Sequence, residues 1–187
     1  MDRKYEIIVY GATGFTGQIC CKYLRDNYKD LVWAMAGRNK EKLDQIKSDF
    51  NLECDVVVAD GGDLEGLKSL ASLTKVVLST AGPFARYGSL LVQACVENGT
   101  HYTDITGENH WVKGLINKHH EEAASKGTRI IPSCGYDSIP SDIGAYFTVS
   151  QFNKPVSRVD VYQEALGGAS GGTTETMFTM DGLNKEM

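Results

Sequence analysis

Three glycines recur at every third position in residues 9–19, VYGATGFTGQI, behind an apolar run and ahead of a helical pattern. A dinucleotide pyrophosphate can approach a helix N-terminus only where the intervening turn has no Cβ atoms, and the free N–H groups of the helix then donate hydrogen bonds to it. Gly11, Gly14 and Gly17 meet that need and predict dinucleotide binding. The candidate lining is the whole turn, namely Gly11, Ala12, Thr13, Gly14, Phe15, Thr16 and Gly17. This G-x-x-G-x-x-G spacing is typical of many NADP-dependent reductases.

The residues after the second β-rich run favour NADP(H) over NAD(H). An acid there would accept hydrogen bonds from a ribose 2′-hydroxyl, but residues 31–40 contain none. Arg38, followed by Asn39, can stack on adenine and form charge-assisted hydrogen bonds with a 2′-phosphate. The alternative is that Arg38 is a solvated loop cation. Asp60, at the end of the third run, is either an acceptor for the adenine amino group or a helix N-cap.

The loops after the later runs are candidates for the nicotinamide half of the cofactor. Residues 79–88, STAGPFARYG, contain a glycine and a proline that allow a close backbone approach and two aromatic rings that can wall the nicotinamide. The candidate cofactor residues in these loops are Ala81, Gly82, Pro83, Phe84, Thr106 and Gly107. Polar residues also crowd residues 134–142, CGYDSIPSD. For the acids and serines at these strand ends, helix capping competes with catalysis as an interpretation.

The elements that must position these loops alternate along the chain. Six β-rich runs, separated by segments of helical periodicity, cover residues 5–10, 31–37, 54–60, 75–80, 101–105 and 129–133. Runs such as EIIVY and DVVVA are apolar throughout, as in parallel strands buried between two layers of helices. We therefore expect an α/β fold with a doubly wound parallel sheet, the Rossmann NAD(P)-binding fold, in which ligands bind at the carboxyl ends of the strands.

The composition changes near residue 150, where we place a domain boundary. Residues 1–150 form the predicted NADP-binding domain. Residues 151–187 are predicted to begin a second, α+β domain. It would consist of a strand over residues 156–166, a glycine-rich segment over residues 167–173 and a helix from about Thr174. Because so few residues cannot close a core, we expect an incomplete substrate or dimerisation domain and a homodimer formed through it.

Composition and charge argue against several classes of protein. The net charge of −5 and the absence of a basic face argue against nucleic-acid binding. The five cysteines show no Cys-x-x-Cys spacing and lie in apolar runs, so we expect buried free thiols and no metal site. No secretion signal and no run of about 20 apolar residues is visible. We expect a cytoplasmic protein without a transmembrane segment, and contact with a lipid surface is left open.

Five motifs, in this order, resemble those of the saccharopine dehydrogenase-like oxidoreductases. They are GATGFTG, AGRN, TAGPFARYG, YTDITGE and CGYDSIPSDIG, and the resemblance covers residues 5 to about 180. It implies an NADP(H)-dependent oxidoreductase acting on a small molecule. The segments implied to line the cofactor are residues 11–17, 38, 60, 82–84 and 106–108, with residues 135–140 closing the site beside the nicotinamide. The substrate stays open, because only Arg86 near the site can neutralise a carboxylate and the relatives include enoyl reductases that act on lipid-like molecules.

Two other classes compete with this interpretation. A short-chain dehydrogenase would use Tyr-x-x-x-Lys, but none of the nine tyrosines has a lysine four residues further on. A non-catalytic NADP-binding sensor would keep the glycines and Arg38 without needing a proton donor, and it stays open. In an enzyme, hydride transfer to or from an imine or an activated double bond requires a positioned acid. The candidates for that acid are Tyr87, Tyr136 and Asp137.

Overall fold

The computed structural model describes residues 3–164, 166–168, 171, 173–174 and 178. A six-stranded sheet forms its centre, and every neighbouring pair of strands is parallel. The strands are β1 (Tyr5–Tyr10), β2 (Trp33–Gly37), β3 (Asp55–Val58), β4 (Thr74–Ser79), β5 (His101–Asp104) and β6 (Ile130–Ile131). Their order across the sheet is β3-β2-β1-β4-β5-β6. The predicted doubly wound Rossmann sheet is therefore confirmed.

Helices cover both faces of the sheet. They are α1 (Phe15–Asn27), α2 (Lys40–Asp49), α3 (Leu64–Ser72), α4 (Phe84–Tyr87), α5 (Ser89–Asn98), α6 (Asn109–Ser125) and α7 (Ile139–Ser150). Successive side chains of a strand point to opposite faces, so Ile8 and Val9 of β1 enter different cores. Val9 packs with Cys21 of α1 and Leu43 of α2, whereas Ile8 belongs to the cluster that α3, α5 and α6 form on the other face.

The direction of strand addition reverses between β1 and β4. From β1 the chain adds β2 and β3 towards one edge, and it then returns to add β4, β5 and β6 on the other side of β1. In open α/β sheets the ligand crevice lies at such a reversal, outside the carboxyl ends of the strands. We therefore expect a ligand crevice beside the loops after β1, β2 and β4.

One predicted strand is absent from the described residues, and several others, the last one in particular, are shorter than expected. Residues 155–164, most of the predicted strand at 156–166, are exposed and have neither helical nor strand structure, because no strand of the described sheet pairs with their backbone. The last strand comprises Ile130–Ile131 rather than residues 129–133, because Pro132 follows it and has no N–H for the ladder. Helical backbone occurs at residues 171, 173, 174 and 178, and the rest of the predicted C-terminal helix lies outside the described residues.

The thiols are unpaired, but the expectation that all five are buried is wrong for two of them. Cys21, Cys54 and Cys95 are buried, whereas Cys20 and Cys134 are partly exposed. Cys20 lies on the flank of α1, beside the buried face that contains Cys21, and Cys134 lies in the loop after β6. Burial raises the pKa of Cys21 to about 12 and that of Cys54 to about 11.

Two kinds of feature are missing from the part of the chain that the structure describes. No helix there is long and apolar enough to cross a membrane. No group of three or more His, Cys, Asp or Glu side chains there is close enough to hold a metal ion.

Candidate functional site

Two of the three glycines in the first turn are required by the fold itself. Gly11 has a φ of 82°, in the left-handed region, and a Cβ atom there would lie 2.8 Å from the backbone nitrogen of Ala81. A Cβ atom on Gly17 would lie 2.3 Å from the carbonyl oxygen of Gly11. Side chains at these two positions would force apart the β1 turn, the first turn of α1 and the loop after β4.

Gly14 differs from the other two glycines because packing does not explain it. A Cβ atom there would meet only the carbonyl oxygen of Gly11, at 3.4 Å, which is ordinary contact. Its φ of −77° and ψ of 165° suit any residue. Gly14 is exposed at the N-terminus of α1, so a side chain there would project into the space that a bound pyrophosphate needs. This open cradle fits a dinucleotide.

The N-terminus of α1 offers hydrogen-bond donors to that space. The helix starts at Phe15, its N-cap Gly14 has no side chain, and its first turn has no acidic residue. The first N–H groups of a helix have no partner within it, and the helix dipole adds partial positive charge. The Nε2 group of Gln18 donates to the carbonyl of Thr13 at 3.1 Å and supports the turn from below. Ala12 is fully buried and shapes the turn through its backbone and packing.

The loop after β2 presents a free cation. Arg38 follows the strand directly, is exposed, and makes no hydrogen bond or ion pair to any described residue. Asn39, by contrast, is the N-cap of α2, and its side chain accepts a hydrogen bond from the backbone N–H of Lys42 at 2.9 Å. The side chain of Asn39 therefore already has a structural role, and contact of either residue with the cofactor stays a prediction.

Asp60 forms a tight turn after β3 instead of capping a helix. Its Oδ1 atom accepts a hydrogen bond from the backbone N–H of Gly62 at 2.8 Å. The N-cap of α3 is Asp63, so the capping interpretation of Asp60 is wrong. Asp60 is exposed, which keeps its other carboxylate oxygen available for a ligand.

Tyr10 belongs to this region and was not singled out by the motif analysis. It ends β1, its side chain is buried, and its hydroxyl lies 3.4 Å from the carbonyl oxygen of Ala59. Burial raises the pKa of Tyr10 to about 12; the nearby Asp60 raises it further and Arg38 opposes that effect. The phenol therefore stays protonated, and it lies next to the loops that carry Arg38 and Asp60. The only sequence signal was a tyrosine immediately before the first glycine.

The loop after β4 is fastened to the glycine turn. The hydroxyl of Thr80 donates towards the carbonyl oxygens of Tyr10 and Gly11, at 3.2 Å each. Further along, Phe84 is buried and packs on Trp111, with 5.9 Å between the ring centroids. Phe84 thus faces the core.

The exposed part of the same loop is the pair Arg86 and Tyr87. The Arg86 guanidinium lies over the Tyr87 ring, 5.1 Å from its centroid. About a third of Tyr87 is exposed. Of the two aromatic rings expected to wall the nicotinamide, Tyr87 is the one that faces the open side. Ala81 and Gly82 are partly exposed and Pro83 is buried.

Two buried acids, Asp104 and Glu108, organise the loops after β5 and β6. Asp104 accepts hydrogen bonds from the backbone N–H groups of Thr106 and Ser133, and from the hydroxyl of Tyr102. Burial raises the pKa of Asp104, and these hydrogen bonds limit the rise. Thr106 is fully buried, and its hydroxyl accepts from the N–H of Glu108 at 3.0 Å. The side chain of Thr106 is therefore used within the protein, whereas its neighbour Gly107 is exposed.

The remaining proton-donor candidates lie after β6. Asp137 is exposed, and its carboxylate oxygens lie 2.9 Å and 3.1 Å from where Cβ atoms on Gly135 and Gly107 would be. Because Gly135 and Gly107 have no side chains, the carboxylate of Asp137 can lie this close to their backbones. Tyr136 is 65% exposed. The fold brings Tyr87, Tyr136 and Asp137 to the carboxyl edge of β4–β6, but no hydrogen bond joins any two of them, and their catalytic role stays a prediction.

With this geometry in place, comparison with known proteins decides the family. The model of the saccharopine dehydrogenase NADP-binding domain matches residues 7–131, a span that contains the glycine turn, Arg38 and both buried acids. The chain belongs to this family. The prediction of NADP(H) as the cofactor is confirmed by that match.

Several relatives carry related names. A saccharopine dehydrogenase-like oxidoreductase of Mus musculus is 36% identical over 91% of this chain and 43% of its own length. A lipid droplet localized protein of Caenorhabditis elegans is 34% identical over 94% of this chain and 44% of its own. A trans-acting enoyl reductase of Mycobacterium leprae is 40% identical over 77% of this chain and 35% of its own. The chain thus spans less than half the length of these relatives.

Among solved structures, the saccharopine dehydrogenase (L-Glu forming) of Saccharomyces cerevisiae has the same fold. The TM-score is 0.66 with 16% identity, over 79% of this chain and 31% of that one. In this saccharopine dehydrogenase-like domain, Gly14, the first turn of α1, Arg38 and Asp60 follow the neighbouring strands β1, β2 and β3, and their contact with the adenosine and pyrophosphate part of NADP(H) stays a prediction. The loop after β4 lies next to the glycine turn, on the other side of the reversal in strand order.

Proposed function

We propose that this chain carries the NADP(H) site of an oxidoreductase that transfers a hydride to or from an imine or an activated double bond. The observation that carries the proposal is an open glycine cradle at the N-terminus of α1 beside an exposed Arg38 at the end of β2 that no described residue pairs with. The first supplies N–H donors for a pyrophosphate, and the second supplies a guanidinium for a 2′-phosphate.

Within that site each group has a distinct task. The N–H groups of the first turn of α1 bind the pyrophosphate, with Gly14 leaving room for it. Arg38 forms charge-assisted hydrogen bonds to the 2′-phosphate, and Asp60 accepts from the adenine amino group. When bound, the nicotinamide supplies or accepts the hydride. Tyr87, Tyr136 or Asp137 holds the proton that the substrate must gain or lose, because these side chains are exposed at the edge where the substrate would enter.

The nature of the substrate follows from the charges around the open edge. Of the residues in the loops after β4, β5 and β6, Arg86 is the one arginine. A molecule with several carboxylates, such as saccharopine, would need more. We therefore propose a substrate with at most one carboxylate, and the enoyl reductase named among the relatives favours a lipid-like molecule with an activated double bond.

The wider organisation is also part of the proposal. Residues 1–150 would form the NADP-binding domain and residues 151–187 would begin a substrate and dimerisation domain in a homodimer. The valines of residues 155–164 are exposed, which supports the proposal that this segment contacts another protein surface. We also propose a cytoplasmic location with access to lipid surfaces, and the access to lipid surfaces is in line with the name of the Caenorhabditis elegans relative.

The test measures binding and turnover separately. Fluorescence titration should show that NADPH binds more tightly than NADH. Oxidation of NADPH should then be followed with enoyl thioesters and imines as substrates, and reduction of NADP+ should be followed with saccharopine, because this amine can only give up a hydride. Turnover with enoyl thioesters and none with saccharopine is the expected result. Tight NADPH binding without turnover of any of these, in a protein extended to the length of its relatives, would favour a non-catalytic sensor. A lack of NADPH binding would exclude both functions.

A further inference from the structure

Glu108 is a buried acid whose hydrogen bonds cross to a different loop. Its side chain is 1% exposed. One carboxylate oxygen accepts from the backbone N–H of Phe84 at 2.7 Å, and the other accepts from that of Ala85 at 2.9 Å. These are the first two N–H groups of α4, which have no partner within that helix. The carboxylate therefore satisfies both donors and fixes the start of α4.

A second contact, made by the first turn of α6, holds the end of the segment that begins with α4. The indole nitrogen of Trp111, in the first turn of α6, donates to the hydroxyl of Ser89 at 2.9 Å. The Trp111 ring lies so close to Gly88 that a Cβ atom there would come within 2.6 Å of it. Residues 84–89 are thus held at both ends by the start of α6, and their outer face presents Arg86 and Tyr87.

Glu108 is itself held in place by the neighbouring strand ends. Its N–H donates to the hydroxyl of Thr106, and the N–H of Thr106 donates to Asp104. Asp104 also accepts from the N–H of Ser133, which follows β6. The hydrogen bonds therefore connect the loops after β4, β5 and β6 through two buried carboxylates.

We propose that Glu108 is a positioning residue for the nicotinamide half of NADP(H), acting by holding residues 82–88 in the shape that receives it. The family resemblance implied that Glu108 lines the cofactor. The geometry instead directs both of its oxygens to the loop backbone, so it acts through Phe84 and Ala85. This inference rests on the proposed function, because it assumes that the cofactor binds at this edge of the sheet.

The adenosine half of the site is separate from these contacts, which makes the proposal testable. Arg38, Asp60 and the first turn of α1 share no hydrogen bond with Glu108 or Trp111 among the described residues. Adenosine 2′,5′-bisphosphate contains the 2′-phosphate and a 5′-phosphate but no nicotinamide. A loss of loop positioning should weaken the binding of NADPH and spare that of the bisphosphate, whereas a general loss of structure would weaken both.

The experiment compares Glu108→Ala and Glu108→Gln with the parent chain. We expect Glu108→Ala to weaken NADPH binding roughly tenfold, because two backbone donors lose their acceptor and the loop loses its fixed shape. Binding of adenosine 2′,5′-bisphosphate should stay within about twofold, since its contacts share no partner with Glu108. Glu108→Gln keeps one acceptor oxygen and should fall between the parent and Glu108→Ala, and it serves as the folded variant if the alanine variant does not fold. Amide hydrogen exchange of residues 84–88 should accelerate in both variants.

Leu70→Ala is the matched control for lost stability. Leu70 is buried near the C-terminal end of α3, so its truncation opens a cavity in the core shared with Phe84 but removes none of the hydrogen bonds that hold the loop. It should leave the ratio of the two affinities unchanged. An equal loss for both ligands in the Glu108 variants, or an unchanged NADPH affinity, would overturn the positioning role. A parent chain that binds neither ligand would instead overturn the proposed function.

Discussion

The backbone nitrogen of Ala81 lies 2.8 Å from the point where a Cβ atom on Gly11 would stand. The first glycine of the turn is thus the place where the loop after β1 meets the loop after β4, across the reversal in strand order. The two loops form one continuous surface because Gly11 has no side chain. That surface runs from the N-terminus of α1 towards Tyr87, in the direction that a dinucleotide would follow from pyrophosphate to nicotinamide.

The three glycines should respond differently to substitution. Gly14→Val should abolish NADPH binding and leave the midpoint of thermal unfolding nearly unchanged, because its side chain enters open space. Gly17→Ala should lower the free energy of unfolding by about 2 kcal/mol or more, since its Cβ atom would overlap the carbonyl of Gly11. Titration calorimetry and thermal unfolding of both variants check this. NADPH affinity of Gly14→Val within about twofold of the parent would refute the role of Gly14, since a blocked pyrophosphate site costs far more.

Arg38 should determine the preference for NADPH over NADH. Arg38→Ala removes charge-assisted hydrogen bonds to the 2′-phosphate, worth about 1.5–3 kcal/mol each, so the affinity ratio should fall by roughly tenfold or more. Lys29→Ala removes an exposed cation between α1 and β2, at the opposite edge of the sheet, and should leave the ratio unchanged. Affinities for both cofactors are measured by fluorescence titration. An Arg38→Ala variant with the parent's ratio would remove Arg38 from the site.

Asp104 should make stability depend on pH in a definite direction. Burial raises its pKa in the folded chain above the ordinary value, so the folded state holds this proton more tightly than the unfolded state does. Its contribution to stability is therefore greatest below the ordinary pKa and declines as the pH rises through the raised one. Asp104→Asn should remove this part of the pH dependence, which is found as the difference between the two denaturation curves over pH. Curves that stay parallel would contradict the assignment.

The hydrogen bonds of Asp104 predict a second difference. Asp104→Ala leaves two backbone N–H groups and the Tyr102 hydroxyl without their acceptor and should cost about 3 kcal/mol or more of unfolding free energy. Asp104→Asn keeps an acceptor for the two N–H groups, and its amide can donate to the Tyr102 hydroxyl. It should therefore cost clearly less than the alanine variant. Urea denaturation near neutral pH compares the two.

The thiols should react with alkylating reagents in an order set by exposure. Cys134 is partly exposed in the loop after β6 and should be labelled first. Cys20 should follow, since burial raises its pKa and lowers its thiolate fraction. Cys21, Cys54 and Cys95 are buried and should react only on unfolding. Mass spectrometry over a time course gives the order, and rapid labelling of Cys54 in the native chain would contradict its burial.

The sequence by itself determined the fold class and the cofactor, and it predicted a place for the pyrophosphate. Apolar runs such as EIIVY, the glycine spacing and the absence of an acid near Arg38 are local patterns, and each is visible within a window of a few residues. Strand burial, turn conformation and the charge beside a strand end depend mainly on such windows. These features were therefore predictable without knowledge of distant contacts.

Only the tertiary structure decided how the individual residues divide their tasks. It separated Gly14 from Gly11 and Gly17, turned Phe84 towards Trp111, and directed Glu108 to a loop backbone 24 residues away in sequence. It also left residues 155–164 without a strand partner, although their alternation is that of a strand. Each of these outcomes depends on which groups meet when distant segments pack. A buried carboxylate binds whichever donors the neighbouring loop presents, and a strand forms only where another strand accepts its hydrogen bonds.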